Sequence, residues 1–223
     1  MPDAPAPASL EDVLADAWAH LLDATTTAKH GFHLPTLCTT PLHFDPTRDA
    51  PHARIVVLRD VTPPNPEAEQ PASVVAHTDL RSPKASELRA YAQGAWVFYD
   101  GPSRLQLRVA GPSEVLTFAS TGDDLALVEQ RWNASTPSSK RCYLAPQAPG
   151  TPADAPSPNL PAAFRKRIPA SEAESDPGKA NFALIRTRVA TLDVLHLHHA
   201  GHQRACFSFA ADGQIEDQAW LEV

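Results

Sequence analysis

The sequence is poor in the features that define several large classes of protein. Its 223 residues include only three cysteines, Cys38, Cys142 and Cys206, which are widely spaced and form no CxxC motif. An odd number of isolated cysteines argues against a disulfide framework and against a cysteine-based zinc site. We therefore expect a reduced, cytoplasmic setting in which each cysteine packs as a small apolar residue.

Long apolar segments and excess positive charge are also missing. No apolar run approaches the roughly 20 residues that a membrane-spanning helix needs, and residues 1–8, rich in Pro and Ala, lack the basic and apolar regions of a signal peptide. We expect those residues to form a disordered tail and expect no membrane association. The net charge of -7 argues against a nucleic-acid partner, because neutralising phosphates requires a basic face.

Hydrophobic periodicity predicts one long helix followed mainly by strands. Ser9 opens a capping-box-like helix start, and apolar residues from Leu10 to Leu22 then recur at helical spacing. Enrichment in β-branched residues predicts strands over most of the remaining chain. The predicted strands are 32–39, 54–61, 73–78, 95–99, 105–116, 182–189, 194–197, 205–209 and 219–223.

Two further helices and a long loop complete the predicted order. Ser82 and Pro83 are typical of an N-cap and a first helical residue, and they predict a helix to Tyr91. A second short helix is predicted over 123–132, and a Pro-rich excursion over 144–180. Many antiparallel strands with few helices indicate a mainly β protein, a β-barrel with flanking helices, formed by a single domain over residues 9–223.

Polar and basic residues cluster where the third strand meets the next helix. A helix start offers free backbone N–H groups and a positive dipole end. Together with hydroxyls and cations, it makes a site for a phosphate dianion, which Arg54 completes if its strand is a neighbour. The alternative is that Ser82 only caps the helix and that the charges are solvated. The cluster comprises Thr78, Arg81, Ser82 and Lys84.

Several stretches resemble pyridoxamine 5'-phosphate oxidases and their FMN-binding relatives. The stretch 54–59 resembles their RxVxLK/R strand, 77–84 resembles their phosphate loop, and 104–111 resembles their RQxRxxG strand. The late block 182–207, which includes Arg204, follows the same order. The HTDxRSxK form of the loop is similar to a bacterial branch distinct from the true oxidases.

This resemblance implies an FMN-binding split barrel and a homodimer that holds FMN between its subunits. Gln106 would hydrogen-bond the ring or ribityl chain, Arg204 would approach the isoalloxazine, and Gln147 is a weaker candidate. The implied cofactor-binding set is Arg54, Ile55, Val56, Val57, Leu58, Arg59, His77, Thr78, Arg81, Ser82, Lys84, Gln106 and Arg204.

The resemblance is incomplete at the positions with which true oxidases bind their substrate. Arg59 replaces the family's lysine, and Gln130 and Ala134 occupy the positions of a tyrosine and an arginine. Ser138 and His202 remain, so Arg59, Ser138 and His202 are the predicted substrate-binding residues. We therefore expect a small-molecule substrate other than pyridoxamine phosphate.

A histidine-rich segment raises the possibility of a metal site. His196, His198, His199 and His202 have no carboxylate or cysteine at ligand spacing, and a strand would place His198 and His199 on opposite sides. We expect no metal. Two functions remain: an FMN-dependent oxidoreductase that acts on an unidentified small molecule, and a non-catalytic FMN-binding carrier or sensor. The sequence names no catalytic residue.

Overall fold

The computed structural model describes residues 9–199 and 201–223, so the expected tail at 1–8 lies outside the described residues. The chain divides into two compact units. The first unit comprises Met1–Ala76, Gln93–Ser113 and Arg186–Val223, and the second comprises His77–Ala92 and Glu114–Ile185.

The helices of the described residues begin where local sequence signals place them. The hydroxyl of Ser9 accepts the backbone N–H of Asp12 at 3.1 Å, which confirms the predicted start of the first helix. The helices are α1 (Leu10–Thr26), α2 (Pro83–Ala90), α3 (Gly122–Ala134), α4 (Pro137–Lys140) and α5 (Glu172–Ser175). No helix within the described ranges is long and apolar enough to cross a membrane.

The strands form an antiparallel sheet. They are β1 (Thr36–Thr39), β2 (His52–Ile55), β3 (Leu58–Thr62), β4 (Ser73–Asp79), β5 (Gln93–Asp100), β6 (Leu105–Thr117), β7 (Phe182–Arg188), β8 (Thr191–His196), β9 (Gln203–Phe209) and β10 (Ile215–Leu221). One path through the sheet has the order β10-β9-β8-β6-β5-β1-β2. Off this path, β3 pairs with β4, β4 with β7, and β7 with β6.

The prediction of one continuous strand over 54–61 is wrong. Val56 and Val57 separate β2 from β3, because the chain changes its hydrogen-bonding partner at this point. Arg54 in β2 pairs with Leu37 of β1, whereas Leu58 in β3 pairs with Ala76 of β4. The segment therefore forms two short strands, and two of its β-branched residues lie in the break between them.

The first predicted strand is also shorter than expected. Residues 31–33 form a 3₁₀ turn, and β1 begins only at Thr36. The ring of His30 accepts the backbone N–H of Phe32 at 3.0 Å and so stabilises the turn before the strand.

The seven-stranded path of the first unit has two contrasting faces. Its core face carries fully buried side chains in cross-strand register, such as Leu37, Trp96 and Val109. Its opposite face, which we call the outer face, carries two cross-strand rows of partly exposed residues. One row is Ile55, Thr36, Val97, Arg108, Asp193, Cys206 and Ala219, and the other is Tyr99, Gln106, Leu195, Arg204 and Leu221.

The second unit has its own aromatic core. Trp132 contacts Phe182 with ring centroids 5.2 Å apart, and Tyr143 contacts Phe182 at 5.0 Å. The ammonium group of Lys140, only 2% exposed, lies 5.2 Å from the Trp132 ring centroid and donates to both carboxylate oxygens of Glu172 at 2.9 and 2.8 Å. This ion pair connects Lys140 of α4 with Glu172, near the end of the Pro-rich excursion.

Candidate functional site

Two buried hydroxyl groups face each other where β4 ends and α2 begins. Thr78 is 3% exposed and Ser82 is 1% exposed. Their side-chain oxygens are 3.0 Å apart, a hydrogen-bonding distance. The turn between them is closed by the backbone N–H of Ser82, which donates to the carbonyl of Asp79 at 3.0 Å. The sequence therefore folds locally so that two hydroxyls meet at a helix start.

The start of α2 has no side-chain cap. Ser82 occupies the N-cap position and Pro83 follows it, as predicted, but the Ser82 hydroxyl makes no capping hydrogen bond. It turns instead to Thr78. The capping interpretation thus loses the hydrogen bond on which it depends. An uncapped helix start with two adjacent hydroxyls has the donor chemistry of an anion site.

Arg81 is held by a carboxylate in this turn. Its guanidinium donates to Asp79 at 3.0 and 2.7 Å, and the backbone N–H of Arg81 adds a contact of 2.8 Å. The same guanidinium donates to the carbonyl of Ala145 at 3.0 Å. Hydrogen bonding to Asp79 raises the pKa of Arg81. Because the two charges of this pair balance each other, we assign Arg81 to stabilising the turn. The other predicted phosphate-binding cation of the second unit is Lys84, which is half-buried.

The beginning of the Pro-rich excursion lies against the same helix start. A Cβ on Gly150 would stand 3.4 Å from Pro83, and Gly150 has a φ of +88°, which favours glycine. The backbone of Gln147 is held by the Asn159 side chain through contacts of 3.1 and 2.9 Å. Gln147 therefore lies on a fixed backbone, with its side chain exposed.

Arg54 lies in the first unit, on the strand β2. Its guanidinium donates to the carbonyl of Leu37 at 3.3 Å and to the hydroxyl of Thr39. Since Arg54 pairs with Leu37, it projects on the core-face side of the sheet. The rest of the predicted flavin strand is mixed, with Ile55 68% exposed, Val56 and Leu58 buried, and Val57 and Arg59 half-buried. In the second unit, His77 packs edge-on against Phe182 with ring centroids 5.0 Å apart.

Gln106 and Arg204 lie together on the outer face, with Leu195 between them in the same cross-strand row. Arg204 donates to Asp193 at 2.8 and 3.2 Å, and Arg108 donates to the same carboxylate at 2.6 Å. Burial by itself would raise the pKa of Asp193, but hydrogen bonds from both arginines outweigh it, so this pKa lies below its ordinary value. The carboxylate therefore stays charged and fixes Arg204.

The predicted substrate-binding residues are dispersed through the chain. Ser138 is exposed in α4, and Gln130 and Ala134 are exposed on α3. His202 is exposed, and its Nδ1 accepts the backbone N–H of His198 at 3.1 Å. Among the described residues, no group of three or more His, Cys, Asp or Glu is placed to hold a metal ion.

Sequence reasoning missed two carboxylates that organise the site. Asp79 follows Thr78 directly in the sequence. An aspartate in a turn two residues before an arginine, here Arg81, is a local signal for an ion pair. Asp193 gave no signal, because its contacts with Arg108 and Arg204 depend on pairing of strands that are distant in the sequence.

One family model matches part of the chain. Residues 15–117 match the model described as "Pyridoxamine 5'-phosphate oxidase, FMN-binding domain". The match covers just under half of the chain, and it shows that this segment is similar to that family. It includes the candidate residues from Arg54 to Gln106, among them the whole β4–α2 turn. No curated protein matches the sequence.

Solved structures support the same fold. The chain is similar to a pyridoxamine 5'-phosphate oxidase-related, FMN-binding protein of Nostoc punctiforme, with 18% identity, a TM-score of 0.67 and coverage of 100% of this chain and 99% of that one. It is also similar to PhzG of Burkholderia lata, with 14% identity, a TM-score of 0.61 and coverage of 100% and 97%. These likenesses concern the fold alone. They confirm the prediction of a mainly β split barrel with flanking helices.

Proposed function

We propose that this chain binds FMN and uses it as an oxidoreductase of a small molecule. The observation that carries the proposal is the buried pair of Thr78 and Ser82 at the uncapped start of α2, inside a segment similar to an FMN-binding family. Bound FMN supplies hydride-transfer chemistry, whereas the protein supplies orientation and access.

The donors around α2 fit a phosphate monoester. Thr78 and Ser82 each carry one hydroxyl proton, and their hydroxyls meet at the start of α2, the helix whose first turn contains Lys84. A phosphate carries close to two negative charges near neutral pH, so each of these donors makes a charge-assisted hydrogen bond with it. The resemblance to the family further assigns Arg54 as a phosphate-binding cation and Gln106 and Arg204 as contacts of the flavin ring.

We also propose that the functional form is a homodimer. Gln106 and Arg204 lie on the outer face, whereas Arg54 projects on the core-face side of the same sheet. A single flavin could contact Arg54, Gln106 and Arg204 of one chain only by passing around the edge of the sheet. In a dimer, the second copy would supply the contacts of one of the two faces. The outer face also exposes Ile55, Tyr99 and Leu221 at 68%, 49% and 38%, which is apolar surface suited to self-association.

The visible absorbance spectrum of the purified protein tests FMN binding, followed by titration of the FMN-free protein with FMN, FAD and riboflavin. We expect a flavin spectrum and a clear preference for FMN over riboflavin. Failure to bind any of the three would refute the proposal.

Anaerobic mixing of the FMN-bound protein with NADH or NADPH, followed by oxygen, then separates an enzyme from a carrier. Rapid bleaching and recovery of the flavin absorbance supports turnover, whereas an unreactive flavin supports the non-catalytic alternative.

Oxidation of pyridoxamine 5'-phosphate is expected to be weak or absent. Capture of a substrate phosphate requires several cations and hydroxyls together, and Gln130 and Ala134 provide no cation and no hydroxyl. Efficient formation of pyridoxal phosphate by the purified protein would contradict this expectation.

A further inference from the structure

The first unit contains a cavity of about 470 Å³ on the core-face side of the sheet, which we call the α1 cavity. Its wall includes Leu105, His196 and Gln203 in one cross-strand row and Val194, Ala205 and Trp220 in the next. Asp12, Asp16 and His20 of α1 line it as well. Outer-face residues such as Arg204 point away from it, so the α1 cavity is separate from the proposed flavin contacts on that face.

The lining combines acidic charge with an apolar body. Among the described residues that line the cavity, two are aspartates and none is lysine or arginine. Trp220 is 48% exposed and presents an aromatic surface to a ligand. The volume falls in the range of about 300–1,000 Å³ that is typical of small-molecule pockets. The cavity is thus complementary to a cation that carries an apolar group.

Hydrogen bonds hold the histidines near the cavity. Nδ1 of His30 accepts the Phe32 N–H, and Nε2 of His30 lies 3.0 Å from Nδ1 of His20. Nε2 of His20 lies 3.8 Å from the Asp16 carboxylate. Nε2 of His196 lies 3.1 Å from the Ser103 carbonyl.

Gln203 belongs to the same wall, and its side-chain oxygen is buried without a hydrogen-bond partner among the described residues. Because this oxygen has almost no accessible surface, the charged contacts that the cavity offers to a ligand come from its two carboxylates. They favour a ligand that donates hydrogen bonds and carries positive charge.

We propose that the α1 cavity binds an organic amine in its ammonium form, with the apolar part of the amine against Trp220. A cation over a tryptophan ring gains further electrostatic stabilisation. This inference does not rest on the proposed flavin function, because every residue that carries it lies in the first unit and lines the cavity or contacts a residue that does.

Three ligands of one ring system test the proposal: tryptamine, tryptophol and indole-3-acetate, which carry a positive, a neutral and a negative head group. Isothermal titration of the full protein, with and without added FMN, should show tryptamine binding at least about tenfold more tightly than tryptophol, with indole-3-acetate weakest. Equal affinities, or tightest binding of indole-3-acetate, would overturn the proposal. So would a change in the flavin spectrum on adding tryptamine, because it would place the ligand at the flavin.

Matched variants locate the site. Asp16→Asn should reduce the preference for tryptamine over tryptophol about two- to fivefold, as expected for one charge pair with an exposed carboxylate. Glu11→Gln removes an exposed carboxylate from the same helix without touching the cavity and should leave the preference unchanged. Trp220→Leu should weaken tryptamine more than tryptophol. Unchanged binding in both the Asp16 and Trp220 variants, with the thermal unfolding of each matching that of the native protein, would show that the ligand binds elsewhere.

Discussion

The hydroxyl pair at the start of α2 permits a quantitative test of phosphate recognition. The perturbations are Thr78→Val, which keeps the shape of the side chain, and Ser82→Ala, alone and together. Each hydroxyl should contribute one charge-assisted hydrogen bond to the FMN phosphate, worth about 1.5–3 kcal/mol. Each single substitution should therefore weaken FMN binding by about tenfold to a hundredfold. Riboflavin, which lacks the phosphate, should lose little affinity.

The same pair predicts a distinct pattern for stability without FMN. Thr78 and Ser82 are buried and hydrogen-bond to each other at 3.0 Å. Removing one hydroxyl leaves the other buried without this partner, at a cost of about 1–3 kcal/mol. Removing both deletes the donor and the acceptor together, so the double variant should be less destabilised than the sum of the two single variants.

Two assays separate these effects. Quenching of flavin fluorescence gives the affinities for FMN and riboflavin, and urea unfolding of the FMN-free protein gives the free energies for the double-mutant cycle. Ser86→Ala is the matched control, because Ser86 is exposed one turn further along α2. Equal losses of FMN and riboflavin affinity would show general disruption of the fold. Unchanged FMN affinity in a folded double variant would refute the role of this turn.

The remaining predictions concern a cation, an interface and a buried carboxylate. Lys84→Ala should weaken FMN binding about tenfold to a hundredfold and leave riboflavin binding nearly unchanged in fluorescence titrations; an equal effect on both ligands would count against a phosphate contact. Leu221→Arg should convert the proposed dimer to monomers in light scattering, whereas Ile215→Arg, an exposed apolar position that pairs with Phe209 of the core face, should not; dimers of both variants would exclude the outer face. Asp193→Asn should lower the free energy of unfolding by about 1–2 kcal/mol at pH 7. Because the folded-state pKa of Asp193 is depressed, its contribution is present above the unfolded pKa of about 3.9 and is lost as the pH falls through the lower folded value. Native and variant stabilities should therefore converge in acid, and a constant difference down to low pH would contradict the ionic role.

Features set by local chemistry could be predicted from the sequence. Ser9 and the pair of Ser82 and Pro83 mark the starts of α1 and α2, because capping and proline preferences act within one turn of helix. The turn between β5 and β6 is similarly local, since Asp100 accepts the backbone N–H and the hydroxyl of Ser103 at 2.9 and 2.7 Å. The resemblance to a family supplied the split barrel, which local patterns alone did not specify.

Features set by strand pairing could not be predicted in this way. The run from Arg54 to Val61 contains three consecutive β-branched residues, Ile55 to Val57, and nothing local marks the break at Val56 and Val57. The break is decided by β1 and β4, which offer two different hydrogen-bonding partners to the two halves. A periodicity of two predicts which residues share one face of a strand, but it does not predict which neighbouring strand pairs with them.

The same limit applies to charge within the candidate site. The sequence shows Arg81 and Arg204 only as two cations, yet the structure pairs each of them with a carboxylate, Asp79 and Asp193 respectively. Balancing a guanidinium with a carboxylate lowers the net charge that it offers to an anion but fixes its orientation. Arg204 is therefore better suited to orient the uncharged polar edge of a flavin than to bind a phosphate dianion.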